Sequence, residues 1–274
     1  GQIGAALAFL LVGAGLLVNS LVRLSRVQPG YDTGGTLTAQ LVLSGSRYST
    51  RDFKPDRLNL FLDTLTQRVR ALPGVSEVSH AQSVPLTGIE NNTKFEIVER
   101  PVAKGEQSSA QLRFIGAEYF KVLSIPVKSG RAFTAADNPQ APDVAIVNEA
   151  FVRAHLQGEN PIGRHLKMGW GGDGPKEIVG VAGDVRHRSL SDSLRPEVYV
   201  PQAQFPNAGV TLLVRAKNGV APASLAAPIA ALVRGLDPEM PMGEVRTLEE
   251  WRAEALAVPR FNTALLGLLS FVAL

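Results

Sequence analysis

Residues 1–22, GQIGAALAFLLVGAGLLVNSLV, carry no charged side chain, and nothing else in this 274-residue chain restricts its architecture so strongly. At about 1.5 Å of rise per residue they predict a helix of roughly 33 Å, enough to cross the hydrocarbon core of a bilayer. A second uncharged run, FNTALLGLLSFVAL, occupies residues 261–274. As a helix it reaches only about 21 Å, so it is expected as the start of a second span, cut short. A water-facing middle portion held at both ends by membrane helices, in a piece of a larger integral protein, is the arrangement these ends predict.

A secretory leader is the competing reading of the first run. Leaders begin with basic residues and end at a small-residue cleavage site, whereas this run starts uncharged and passes directly into Arg23-Leu24-Ser25-Arg26. Within the span, Gly4, Ala8 and Gly15 fall near one helical face and form a candidate helix-packing stripe, because small residues let helices approach closely in lipid. The abundance of glycine and alanine in membrane helices explains the stripe equally well.

Between the two runs the composition is that of a folded domain. Of all residues 45% are hydrophobic and 19% charged, which supplies a core large enough to divide between two subdomains. A net charge of +3, evenly spread and without interleaved aromatics, gives no footprint for nucleic acid. With no cysteine, neither a disulfide framework nor a thiolate site is possible. Arg23, Arg26, Arg252 and Arg260 flank the apolar runs and would draw the middle toward the cytoplasm, but that rule holds only for short loops.

Periodicity along the middle predicts two βαβ units. TLTAQLVL at 36–43 alternates as a strand; Leu58, Phe61, Leu62, Leu65, Val69 and Leu72 follow at helical spacing, Pro73-Gly74 stops that helix, and VSEVSHAQ at 75–82 alternates again. The second unit reads VTLLVRA at 210–216, a helix over 221–236 facing inward through Leu225, Ile229, Leu232, Val233 and Leu236, and MGEVRT at 242–247, with a closing helix over 248–256. Two such halves sharing one sheet, with both helices on one face, make a ferredoxin-like arrangement within an α+β fold. The expected division is a transmembrane helix over 1–24, the first βαβ half over 30–85, an inserted β-rich subdomain over 86–205, the second half over 206–257, and the truncated span over 260–274. Inside the insert, strands are expected at 94–98, 111–115, 144–147 and 178–185, with helices near 118–123 and 148–156.

Chemical motifs are sparse. Gly158-Glu159-Asn160-Pro161-Ile162-Gly163-Arg164-His165 has the glycine spacing of a phosphate loop, yet Arg-His stands where Lys-Ser/Thr is needed and Pro161 lacks an amide, so it reads as a turn. His80, His155, His165 and His187 lack metal-ligand spacing, and no nucleophile elbow occurs; no catalytic, cofactor-binding or metal residue is assigned. Trp170, in a glycine-rich hairpin tip, reads as a packing residue, and Arg186-His187-Arg188 as a solvated basic face.

A set of scaffold motifs runs through the whole chain in order. Pro29-Gly30-Tyr31-Asp32 follows the first span; RVRALPGV at 68–75, Tyr119-Phe120 with Ile125-Pro126, and Gly130-Arg131-Ala132-Phe133 come next. VAIVNEA at 144–150, NPIG at 160–163, IVGVAGDVRH at 178–187, RPEVYVP at 195–201, VRTLEE at 245–250 and Pro259-Arg260-Phe261 complete it. Together they resemble the extracytoplasmic domain of MacB/FtsX-type ABC transporter permeases, most of all one half of the large duplicated permeases of acidobacteria.

That resemblance implies a multi-pass inner-membrane permease with this domain in the periplasm, a porter-like subdomain of two βαβ units, and an inserted strand-rich subdomain. It implies a cytoplasmic ABC ATPase as partner, since the chain has no Walker motif and ATP would be bound elsewhere. It further implies a homodimer or a pseudo-dimer with a second permease half, contact with membrane lipid, a periplasmic adaptor in some members, and no enzymatic activity of the chain itself. Pro29, Gly30 and Pro259, where the helices meet the domain, are the candidate hinges. Two other classes stay open on the residues alone: a membrane-anchored extracytoplasmic ligand sensor, which needs a pocket with convergent polar groups, and a tethered hydrolase, for which no nucleophile-base pair is found.

Overall fold

The computed structural model describes residues 2–43, 55–103, 105–169, 174–187, 189–207, 209–257, 261, 262, 264, 265 and 268, excluding the side chains of 2–11, 55 and 56. In chain order the elements are α1 (Gln2–Arg26), β1 (Thr36–Val42), α2 (Pro55–Arg70), β2 (Val75–Ala81), β3 (Asn92–Ile97), β4 (Ser108–Ile115) and α3 (Tyr119–Val122). Then come β5 (Val127–Gly130), β6 (Val144–Asn148), α4 (Glu149–His155), β7 (His165–Met168), β8 (Lys176–Ala182) and β9 (Glu197–Pro201). The chain closes with β10 (Gly209–Ala216), α5 (Ala226–Leu236), β11 (Met242–Thr247) and α6 (Leu248–Ala255).

The first lobe assembles the two ends of the middle portion. Its strands run β11-β1-β10-β2, each pair antiparallel, so β10 lies between β1 and β2, and β1 between β10 and β11. Each helix must therefore cross over one strand to reach its next, which places α2 and α5 together on one face. Leu58, Leu62, Leu65 and Val69 of α2 bury completely there against Leu37, Ala39, Leu212, Val214, Ile229 and Val233. The i, i+3, i+4, i+7 spacing of α2 puts these side chains in one stripe, and strand alternation supplies the matching face. Leu213, alternate to Leu212 and Val214, points to the other face, where the second lobe sits.

In the second lobe six strands close on themselves. β4 pairs with β3, β3 with β7, β7 with β8, β8 with β6, β6 with β9, and β9 back with β4, the β4–β9 and β6–β8 pairs being parallel. β5 adds to β8 outside the ring. Closure removes free strand edges. Phe95, Leu112, Phe114, Val147, Leu166, Ile178 and Val198 line one core, which Phe151 of α4 and Leu156 just after it complete. A third core joins the lobes: Ala81, Leu213 and Leu248 meet Ile115, Tyr119, Phe120, Leu123 and Tyr199. The sheets are also continuous through the Ala81–Ile115 pair.

Element positions in the first lobe match the sequence reading to within about two residues, except that the helix expected over 221–236 starts as a 3-10 turn, Pro222–Leu225, before α5. Here Pro222 and Pro228 supply no amide to the first turns. In the insert the structure adds β5, β7 and β9 to the expected strands; they are four, four and five residues long, and the partners of β5 and β9 lie far along the chain. Among the described residues no helix is long and apolar enough to cross a membrane. The described side chains of α1 begin only at Val12, and the expected second span falls mostly outside the described residues.

Candidate functional site

Four residues just after α1, Pro29 to Asp32, tie that helix to both lobes. The Pro29 carbonyl accepts the Arg186 amide at 2.9 Å. Gly30, at φ +89°, lies so close to the loop after β8 that a Cβ would stand 2.0 Å from the Asp184 carbonyl oxygen. Only glycine fits both the space and the dihedral. Tyr31 buries its ring in the interlobe core, and burial pushes its hydroxyl, which lacks a hydrogen-bond partner among the described residues, well above the usual phenol range. The Asp32 amide donates to the Leu123 carbonyl at 2.9 Å, beyond α3.

The Asp32 side chain turns to the first lobe. Arg215 on β10 donates from Nη1 to Asp32 Oδ2 at 2.8 Å and from Nε to the Val122 carbonyl at 2.7 Å, so one guanidinium bridges the connection and α3. Partial burial opposes ionisation of Asp32, but the bonds from Arg215 and the Gly34 amide outweigh it and hold the carboxyl below its usual range. Asp184 is itself fixed: Oδ1 accepts the Ala150 amide at 2.7 Å at the start of α4, and Oδ2 takes Arg153 at 2.5 Å. Two of the few residues with positive φ outside glycine, Ser124 at 54° and Leu86 at 70°, flank this junction. Leu86 donates its amide to the His187 carbonyl at 2.5 Å. Strained backbone persists where its surroundings over-determine it.

From the other end of the chain, α6 reaches the same place. A capping box fixes its start: Thr247 Oγ1 accepts the Glu250 amide while the Glu250 carboxylate takes the Thr247 amide. Trp251 donates from Nε1 to Thr38 Oγ1 at 3.1 Å, with the Arg246 guanidinium 4.2 Å from its ring centroid. Arg252 Nη2 then donates to the Ser25 carbonyl at 3.0 Å. A cation at unpaired carbonyls in the last turn of α1 is also favoured by the helix dipole.

Beneath the Asp184–His187 loop lies a buried charged cluster. Glu197 on β9 accepts Tyr199 Oη at 2.6 Å and Arg113 Nη2 at 3.4 Å, and His187 Nε2 stands 3.2 Å away in electrostatic contact. Burial works against the Glu197 charge, but His187 and Arg113 overcome it and keep its carboxyl low. Burial keeps the His187 imidazole neutral to lower pH than usual, only partly opposed by Glu197. Asn148 holds the frame: Oδ1 accepts the Phe151 and Glu197 amides, both at 2.9 Å, and Nδ2 donates to the Arg195 carbonyl at 2.8 Å. This corrects the expectation of a solvated basic face at 186–188: His187 is 6% exposed and Arg186 donates to the Asp192 carbonyl, while Arg188 lies outside the described residues. Glu197, ten positions beyond His187 in sequence, gave the local pattern no sign of its role.

Of the residues singled out from sequence, Pro29 and Gly30 are together in the junction. Gly15 is on an exposed part of α1, with nothing within 4 Å of where a Cβ would stand. The surroundings of Gly4 and Ala8, together with Pro259 and Trp170, lie outside the described residues. Asp184, Arg186, Arg215 and Arg252 were not assigned from sequence. Two of them act through backbone atoms, and the other two through partners far along the chain, Asp32 and Ser25. The one available sign was that PGYD and AGDVRH are both scaffold motifs; in the fold they are in contact. Among the described residues no three His, Asp or Glu side chains stand where they could hold a metal ion.

An interleaved four-strand lobe, a closed six-strand ring inserted into it and a shared junction for α1 and α6 describe a domain built around its connections. The chain belongs to the MacB-like periplasmic core domain family, whose profile matches residues 3–232. It is 30% identical over 105 residues to the macrolide export ATP-binding/permease protein MacB of Mannheimia succiniciproducens, a stretch covering 38% of this chain and 16% of that protein. To the MacB protein of Aggregatibacter actinomycetemcomitans it is 32% identical over 77 residues, 28% of this chain and 12% of that one. The matched stretches thus span less than a fifth of these relatives. The crystal structure of the periplasmic region of MacB from Actinobacillus actinomycetemcomitans is similar with a TM-score of 0.55 at 16% identity, over 85% of this chain and 97% of that one, a likeness of fold.

Proposed function

We propose that this periplasmic domain of a MacB-like ABC permease receives motion from a cytoplasmic ATPase through its terminal helices and passes it to both lobes at once, driving export or mechanical work across the envelope. In this reading the uncharged run 1–22 is an inner-membrane span and the run from 261 begins another. The first lobe is the porter-like, ferredoxin-like subdomain, a reading that the β11-β1-β10-β2 order supports. The partners are an ABC ATPase, a second permease half as homodimer or pseudo-dimer, and in some assemblies a periplasmic adaptor.

One observation carries the proposal: Pro29, Gly30 and Asp32 are bound to both lobes within a few residues of α1, and Arg252 of α6 bonds to α1 itself. A displacement of α1 cannot be absorbed in a slack linker. In the complete transporter, cysteines placed at the membrane-proximal ends of the two permease halves should crosslink to different extents with and without ATP. Crosslinking that ignored nucleotide would refute the coupling.

A further inference from the structure

The first lobe ends in a strand whose outer side is only partly paired. β2 meets β4 through the single Ala81–Ile115 pair, with the Gly116 amide donating to the His80 carbonyl at 2.8 Å and the Gln82 amide to the Phe114 carbonyl at 2.9 Å. Those bonds set which main-chain groups face outward: His80 and Gln82 do, and by alternation so does Val78. Among the described residues no strand pairs with 75–79 on that side. Among the described residues the Val78 carbonyl receives only the tip of Arg70, at a long 3.5 Å.

This edge is the floor of a groove of about 350 Å³ between α2 and the loops of the second lobe. Exposed free edges are usually blunted by a charge, a proline or a bulge turned outward; this one is recessed instead. Along the α2 wall, Asn59, Asp63, Gln67 and Arg70 follow one another at helical spacing as a polar stripe beside the apolar one. Asn59 donates to the Ala203 carbonyl at 2.8 Å and ties the wall to the second lobe. Two polar atoms at the floor, Ser79 Oγ and His80 Nδ1, are buried without hydrogen-bond partners, and Ser79 is 3% exposed. Asp63 and Glu118 line the groove, and among the described residues neither has a basic group at ion-pair distance; Lys121 is bonded to Glu77 at 2.6 Å and feels the Glu118 charge only from farther off. Burial without a counter-charge raises the Asp63 carboxyl.

We propose that this groove binds a short, basic, extended peptide that adds as a strand to the free edge of β2, its cationic side chains meeting Asp63 and Glu118. Main-chain bonding to an edge gives affinity without demanding a particular sequence, and flanking side chains give selectivity. The volume sits at the small end of ligand sites, about 300–1,000 Å³, and suits a few residues. Arg70 would swing off the Val78 carbonyl to admit the strand. The site stands on the groove alone and is independent of whether the domain transmits ATP-driven motion.

The test is fluorescence anisotropy with the full chain and three labelled probes: the peptide Thr-Lys-Val-Lys-Val-Thr, its counterpart with Glu for Lys, and the basic peptide N-methylated at alternate amides. The basic peptide should bind saturably and about tenfold or more tighter than either other probe. The double variant Asp63→Asn/Glu118→Gln, at positions outside the cores, should weaken it about tenfold, and hydrogen exchange at the Val78 amide should slow on binding. No saturable binding, equal binding of the N-methylated or acidic probe, or unchanged exchange at Val78 would overturn the proposal. The comparison of the three peptides uses the unaltered chain, so it stays decisive even where the double variant fails to fold.

Discussion

The two lobes are held together in different ways. In the first, α2 and α5 press an almost wholly apolar stripe onto one sheet face, and Leu58, Leu65 and Ile229 are fully buried with nothing polar to satisfy. The ring of the second lobe also has an apolar interior, but beside it Arg113, Glu197, His187 and Tyr199 share a buried charged cluster, with Asn148 bracing the backbone. Apolar burial tolerates replacement by anything of similar shape. A buried charge tolerates almost nothing, because removing one partner leaves another desolvated and unpaired. The tolerant lobe carries α2, α5 and the open groove; the intolerant one supplies the backbone that grips Pro29 and Gly30.

The largest effect should come from the charged cluster. Glu197→Gln keeps nearly the same shape yet should cost about 3–5 kcal/mol in urea unfolding, because Arg113 stays buried without its carboxylate. The triple change Arg113→Met/Glu197→Leu/His187→Leu should recover most of that loss. If Glu197→Gln were neutral, the contrast between the lobes would be lost.

In the first lobe, cost should follow volume instead. Leu65→Ala, at a fully buried site, should cost about 2–5 kcal/mol by the same measurement, and Leu65→Met less than about 1.5.

Smaller again is the expected effect at the junction. Gly30→Ala combines a positive φ with a contact to the Asp184 carbonyl, and should cost about 2–3 kcal/mol. Gly35→Ala, at φ +68° with open space around it, isolates the dihedral and should cost about 1 kcal/mol. Equal costs at the two glycines would mean that the contact with Asp184 does not matter.

The mildest prediction concerns pH. Folded Glu197 is held low, so its stabilisation is complete above the unfolded carboxyl value of about 4.3 and declines as pH falls toward the folded value. His80 and His187 are also lowered, His80 to about 4; below about 6.5 the unfolded chain takes up protons that these folded rings refuse. Stability should therefore fall from pH 7 to pH 5, mainly through the histidines. His80→Gln should flatten the slope of the urea midpoint against pH; an unchanged slope would remove His80 from the account.

How much of this was legible in the sequence follows the same division. Leu58, Phe61, Leu62, Leu65 and Val69 announce α2 by spacing alone, and TLTAQLVL announces β1 by alternation, since both signals are local. β9 reads EVYVP, all five residues buried, and its role depends on a parallel partner at Gln111–Ile115 that no local pattern can reveal. Ring closure was invisible for the same reason. At the junction, Gly30 was legible as a special position, but its partner acts through the Asp184 carbonyl and the Arg186 amide, atoms that every residue but proline possesses. The bridging role of Arg215 needed the fold.

The proposed coupling requires α1 and both lobes to move as one body in the working transporter. Because the chain has no cysteine, spin labels at Ser20→Cys on α1 and Ala136→Cys on the second lobe would be unique within it. Their distance distribution, measured by pulsed electron resonance in the complete transporter, should be narrow and the same with and without ATP, and should broaden in the Gly30→Ala background. A distribution that is broad in the unaltered junction, or that shifts with nucleotide, would contradict the account.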